Sequence, residues 1–111
     1  LSMSTTYHSS LLTLDISFCL LPCECAAAVF ESLCHLKNLQ CLNLRASFDM
    51  QSYTKTGKGL KFFLEAESIE ALSSLVNIRR LDVRRLPVWN GPAAYSRIFH
   101  SMTLLEALKC D

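Results

Sequence analysis

The chain has 111 residues, half of them hydrophobic and 19% charged, and its eleven basic and ten acidic side chains leave a formal charge of +1. That composition suits one domain or a piece of one, is too apolar for a disordered or acidic tail, and gives no electrostatic case for nucleic acid or an anionic membrane as partner. The most apolar stretch, Phe18 to Phe30, is interrupted by Pro22 and Glu24, so no run reaches the roughly 18 residues of a membrane span. The opening Leu1-Ser2-Met3-Ser4 lacks the basic start of a signal peptide. With no initiator Met at position 1, the natural start is expected upstream.

Four short apolar cadences then follow in order. Leu11-x-x-Leu14-x-Ile16-x-x-Cys19 is the first, Leu39-x-x-Leu42-x-Leu44-x-x-Ser47 the second, Ile78-x-x-Leu81-x-Val83 the third and Leu105-x-x-Leu108-x-Cys110 the fourth. They begin at residues 11, 39, 78 and 105, so the steps are 28, 39 and 27 residues. The long middle step is an ordinary one with an insertion. Ahead of the last three cadences lie apolar residues at helical spacing: Leu33, Leu36, Leu39; then Leu72, Leu75, Ile78; then Phe99, Met102, Leu105. Each unit is predicted to run helix of about three turns, tight turn, five-residue strand, loop. One such unit cannot bury its own apolar face. Stacked copies can, with parallel strands on one side and helices on the other.

The insertion falls at about 47–59 and contains Tyr53-Thr54-Lys55-Thr56-Gly57-Lys58-Gly59. It lacks apolar periodicity and is predicted to be a loop, either a partner-contacting excursion or a plain insertion. Leu60 to Leu64 is expected to anchor it back on the helix side. Gly57-Lys58-Gly59 is not a phosphate loop, because the G-x-x-x-x-G-K-S/T pattern is missing. After the third strand, Leu86-Pro87-Val88-Trp89-Asn90-Gly91-Pro92 must turn through its Pro and Gly residues. Trp89 and Tyr95 beside it are read either as filling the gap between loop and helix or as an exposed anchor, and Phe48 and Met50 carry the same two readings.

Six cysteines could form three disulfides. Cys19, Cys34, Cys41 and Cys110 instead sit in the apolar-periodic segments, where Cys behaves as a small hydrophobe. No Asn-x-Ser/Thr acceptor is present, since Asn38, Asn43, Asn77 and Asn90 all fail the pattern. A reduced cytoplasmic or nuclear setting is therefore expected. Cys19, Cys23, Cys25, Cys34 and His35 lie close together, but Cys23-x-Cys25 is too tight for a zinc knuckle, and no metal site is expected. Cys34 and His35 are neighbours on a helix and diverge by about 100°; His100 lies two units away and His8 near the start. Asp15 and Asp82, about 9–10 Å apart across an interposed strand, have no burial to split their pKa values. No catalytic residue and no cofactor is expected.

The cadences resemble the leucine-rich repeat family, whose consensus L-x-x-L-x-L-x-x-N/C-x-L they follow from Leu11 to Asp111. The unit length near 28 is similar to the intracellular, ribonuclease-inhibitor-like branch. The resemblance implies an α/β fold: a solenoid (horseshoe) segment with a short parallel β-sheet on the concave side and helices on the convex side. Residues 1–111 would be one segment of three to four repeats excerpted from a longer solenoid, since neither end reads as a cap. Cys19 fits the Asn/Cys position, Ser47 is a weak substitute and Leu86 cannot make that hydrogen bond.

The usual ligand face of such solenoids is the concave one, and the implied function is non-catalytic binding of another protein or an extended peptide. In this register that face carries Thr13, Asp15, Ser17; Cys41, Asn43, Arg45; Arg80, Asp82, Arg84; and Ala107, Lys109, Asp111. Asp15, Asn43, Asp82 and Lys109 form one row, with Arg45 and Arg84 in the next. The binding residues are expected to be Asp15, Asn43, Arg45, Arg80, Asp82 and Arg84, which suit acidic partners. The bland alternative is a solvated face whose Arg and Asp neutralise each other. The strands Leu11 to Ser17 and Ile78 to Val83 are further similar to repeats of cullin–RING ubiquitin-ligase substrate receptors of the Zyg/Zer and F-box types. That likeness implies a cullin adaptor bound through regions outside this chain. Repeat domains of nucleotide-binding innate-immune receptors and enzyme-inhibitor solenoids are the alternatives.

Overall fold

The computed structural model describes residues 10–49, 51–53, 59–61, 66–86, 88 and 91–110. Strand β1 (Thr13–Asp15) is followed by a 3₁₀ turn (Cys23–Cys25), helix α1 (Ala26–Leu33) and strand β2 (Cys41–Asn43). A second pair of strands, β3 (Gln51–Tyr53) and β4 (Gly59–Lys61), precedes α2 (Ala66–Glu70) and its 3₁₀ continuation (Ala71–Ser74). Strand β5 (Arg80–Asp82), helix α3 (Gly91–Ser101) and strand β6 (Ala107–Lys109) complete the order.

The fold is α/β, with a four-stranded parallel sheet ordered β1-β2-β5-β6. Its register aligns the central leucines, Leu14↔Leu42↔Leu81↔Leu108, and the positions on either side of them. The strands are three residues long rather than five, yet their backbone bonding repeats bond for bond. The carbonyl of Leu12 accepts the N–H groups of Gln40 and Cys41 (2.8 and 3.0 Å), that of Gln40 accepts Arg79 and Arg80 (2.7 and 3.0 Å), and that of Arg79 accepts Glu106 and Ala107 (2.7 and 3.0 Å). At the far end of the strands Ile16, Leu44 and Val83 each donate to the neighbouring strand's Asn43, Asp82 and Lys109 carbonyls. Burial of one side of every strand fixes this register, because a one-residue slip would turn the leucines out to water.

The helices are shorter than their apolar spacing predicts. Helix α1 stops at Leu33, and Leu36 and Leu39 continue as successive three-residue turns: Leu36 N–H bonds to Leu33 O and Leu39 N–H to Leu36 O, both at 3.0 Å. The same staircase joins Leu72, Leu75 and Ile78, and again Phe99, Met102 and Leu105. A repeat of three is shared by one face of an α-helix and by consecutive i→i+3 turns. Here the turns carry it, delivering each chain from helix to strand with its apolar side chains inward. Leu36, Leu39, Leu72, Leu75, Ile78 and Met102 all lie in the one core between sheet and helices.

The described residues of the segment expected as a loop, 47–49, 51–53 and 59, include packed and strand-paired positions. Ser47 and Phe48 are buried, Phe48 stacks on Phe30 at 5.6 Å, and Leu21 pairs in parallel with Phe48. Strands β3 and β4 then pair antiparallel, Gln51↔Lys61 to Tyr53↔Gly59. Residues 54–58 and 62–65, most of the expected loop and its anchor, lie outside the described residues, as do Met50, Trp89 and Asn90. Tyr95 settles on its interior reading: it is buried, stacks on Phe99 at 6.0 Å and donates from its hydroxyl to Val83 O at 3.5 Å.

Candidate functional site

The sheet face turned away from the helices is open. A shallow depression of about 230 Å³ lies on it, floored by the four strands and bordered by Thr13, Asp15, Arg80 and Lys109. The strands lie side by side in the register Asp15↔Asn43↔Asp82↔Lys109, so the expected row exists, with Thr13↔Cys41↔Arg80↔Ala107 parallel to it. Neighbouring positions in a row are about 4.8 Å apart. All six expected site residues therefore belong to this face or to the turns ending it. They do not play equal parts.

Three of them hold the turns. Asp15 Oδ1 accepts Ser17 N–H at 2.8 Å, Asn43 Oδ1 accepts Arg45 N–H at 3.0 Å, and Asp82 Oδ1 accepts Arg84 N–H at 3.1 Å. Each is a side chain bonding its own backbone two residues on, the Asx geometry that ends a strand. The next residue along, Phe18, Ala46 or Arg85, has φ of 57°, 49° or 56°. Ser47 N–H then closes onto Leu44 O at 3.1 Å and Cys19 N–H onto Ile16 O at 3.4 Å. After the third strand the Asx bond and the left-handed residue recur at Arg84 and Arg85, while Pro87, Trp89 and Asn90 of the expected Pro/Gly turn lie outside the described residues. Asx residues two positions before each bonded N–H were visible in the sequence as Asp15, Asn43 and Asp82; assigning them only to ligand contact missed their local role.

Asp82 is more buried than expected of a solvated face, only 9% exposed, because Arg84 folds over it. Arg84 Nε donates to Oδ1 at 3.0 Å and Nη2 to Oδ2 at 2.8 Å, a bidentate pair. These bonds hold the Asp82 carboxyl below its ordinary value against the opposing effect of burial, and the Arg84 N–H and Lys109 charge help. Asp15 is also lowered, by its bonds from Ser17. Neither carboxyl is poised as a general acid. The neutralised-face reading therefore holds for the pair Asp82 and Arg84.

Arg45 and Arg80 differ. Arg79 pairs with Glu106 at 3.2 Å and Arg97 with Glu70 at 2.6 Å, both outside this face. Arg80 is exposed and has no ion pair among the described residues. Arg45 places its guanidinium 5.1 Å from the centre of the exposed Phe18 ring, while its Nε is buried with no hydrogen-bond partner among the described residues. Lys109 is exposed at the end of the Asp82 row.

The cysteine positions need correction. Cys19 and Cys110 are exposed rather than packed, because β1 and β6 are the outer strands among the described residues; Cys34 and Cys41 are partly buried. Cys34 lies just past α1, and its thiol donates to Glu31 O at 2.8 Å. Cys19, Cys25, Cys34, Cys41 and Cys110 are all thiols, and among the described residues no group of His, Cys, Asp or Glu is arranged to hold a metal ion. No helix among them is long and apolar enough to cross a membrane. The chain matches no family model, no curated protein and no solved structure.

Proposed function

We propose that this chain is part of a leucine-rich-repeat solenoid of the ribonuclease-inhibitor-like type that binds another protein on its open sheet face, without catalysis or cofactor, in a cytoplasmic or nuclear setting. The repeat reading is supported by the three equivalent carbonyls, Leu12, Gln40 and Arg79, each bonding two N–H groups of the following unit. The observation that carries the binding reading is the uncovered depression, which presents polar and charged side chains of all four strands in register. A rigid sheet of this kind positions planar donors with little ordering cost on binding. Within that class the role is substrate recognition for a cullin–RING ubiquitin ligase, the adaptor being engaged by sequence outside these 111 residues. What supports this last step is the Leu-x-x-Leu-Asp-Ile/Val cadence of the first and third strands.

The test is affinity capture of the full-length protein from cytosol with mass spectrometry of its companions. Recovery of a cullin together with its adaptor is the expected result. A capture with other partners but no ligase component removes the ligase role and leaves a protein-binding solenoid.

A further inference from the structure

Resting on the protein-binding reading, we infer that the open face recognises an extended acidic peptide, through two carboxylates about four residues apart that engage Arg80 with Lys109 and Arg45.

Charge separates this face from the rest of the molecule. Of the described arginines, Arg79, Arg84 and Arg97 are committed to Glu106, Asp82 and Glu70. Arg85 has an interaction of its own, whereas no guanidinium hydrogen bond is found for Arg80 or Arg45 among the described residues, Arg45 instead making a ring contact with Phe18. Arg80 lines the depression, and Arg45 follows Asn43, another lining residue, in the turn that ends β2. With Asp82 cancelled by Arg84, the described charges left on the face are Arg45, Arg80 and Lys109 against Asp15. The surplus is positive although the whole chain is nearly neutral. An anionic occupant complements it.

Spacing sets the peptide. Arg80 is paired with Ala107, and Lys109 lies two residues further along the adjoining strand. Their Cα atoms are therefore about 8 Å apart, from two strand rises of 3.3 Å and one strand spacing of 4.8 Å, and both side chains reach one carboxylate. Arg45 lies four residues beyond Cys41, the register partner of Arg80. That is at most about 13 Å, because the chain turns after Asn43, and an extended ligand spans it within four residues. Because Arg45 Nε is sealed, its carboxylate contact is end-on through the two Nη groups. Between the two subsites Asn43 uses its Oδ1 on Arg45 N–H, which leaves its amide NH₂ to meet a ligand carbonyl. Asp15, ionised and at the edge of the depression, repels the acidic chain from β1 and confines it to β2, β5 and β6. A nucleic acid is disfavoured because the cations form two points rather than a continuous stripe.

The probe is a fluorescein-labelled peptide with glutamates at its first and fifth positions and Gly/Ser between them, titrated against the 111-residue chain by anisotropy. The glutamate peptide is expected to bind about tenfold more tightly than its diglutamine counterpart, with the difference shrinking as NaCl rises from 50 to 500 mM. Arg80→Gln and Arg45→Gln should each weaken it three- to tenfold, while Arg97→Gln, which removes a positive charge paired with Glu70 away from this face, leaves it unchanged. Arg80→Glu should prefer a peptide whose first glutamate is lysine, a swap that a merely misfolded variant cannot produce. Equal binding of the glutamate and glutamine peptides, binding by neither, or a stronger response to an oligouridylate of matching length overturns the acidic-peptide assignment. Protein-binding on this face is judged separately, by cross-linking from it: a partner captured there whose contact segment lacks the acidic spacing defeats this inference and leaves the broader reading standing.

Discussion

Replacing Ala46 by glycine and Ala28 by glycine should change stability in opposite directions. Ala46 follows β2 with φ of 49°, a left-handed conformation that costs an L-residue about 1–2 kcal/mol. Glycine removes that cost and brings back about 0.5–1 kcal/mol through the greater freedom of its unfolded chain, so Ala46→Gly is expected to stabilise by about 0.5–1 kcal/mol. The Ala46 N–H bond to Arg84 O, at 3.0 Å, survives the change. Ala28 lies exposed in helix α1, where the same substitution loses about 0.5–1 kcal/mol of helix propensity. The two variants should thus differ by about 1–2 kcal/mol, which separates their urea midpoints by about 1 M at the slope usual for a small domain. Equilibrium urea unfolding followed by circular dichroism reads this directly. If both variants fall below the wild type by the same amount, the left-handed turn at Ala46 is not part of the folded chain, and the equivalence of the three strand-ending turns goes with it.

Other consequences follow from particular side chains. Phe48→Ala, at a fully buried ring stacked on Phe30, should lower stability by about 3–5 kcal/mol; a loss below about 1 kcal/mol would restore the loop reading of that segment. Ser47 has a buried hydroxyl with no hydrogen-bond partner among the described residues, so Ser47→Ala is expected to leave thermal stability unchanged or raise it by up to about 1 kcal/mol, and a clear drop in Tm would reveal a partner for that hydroxyl. The lowered pKa of Asp82 means the folded state binds its proton less readily than the unfolded state, so its contribution is present above the ordinary carboxylate range near pH 4 and fades as pH falls through the folded value. Asp82→Asn should therefore flatten the acid limb of a stability-against-pH curve below about pH 4 relative to wild type; an unaltered limb would refute the bidentate pair with Arg84.

The strands and their register were legible because the leucine cadence states them twice, once by alternation and once by recurrence. Asp15, Asn43, Asp82 and Lys109 could be placed in one row from spacing alone, and the sheet bears that row out. The helix lengths were not legible, because Leu33, Leu36 and Leu39 at intervals of three satisfy a helix face and a staircase of tight turns equally well. Phe48 was obscured by position: a single aromatic after a strand carries no period, and its burial comes from Phe30 and from pairing with Leu21, a neighbour 27 residues earlier. The commitment of Arg84 to Asp82 followed from rotamers that sequence spacing does not encode, though two residues apart at a strand end already allowed it. Cys19 shows the converse error. Its place in the cadence predicts burial, but burial needs a neighbouring unit on its outer side, and among the described residues β1 has none.

The binding face itself is tested most directly by photo-cross-linking from defined positions. A benzophenone side chain at Thr13 or Ala107 would project from the exposed sheet face, and one at Ala28 from the exposed side of α1. In cells expressing the full-length protein, discrete partner adducts are predicted from Thr13 and Ala107 and none from Ala28. Adducts confined to Ala28 would place the partner on the helices and contradict the account.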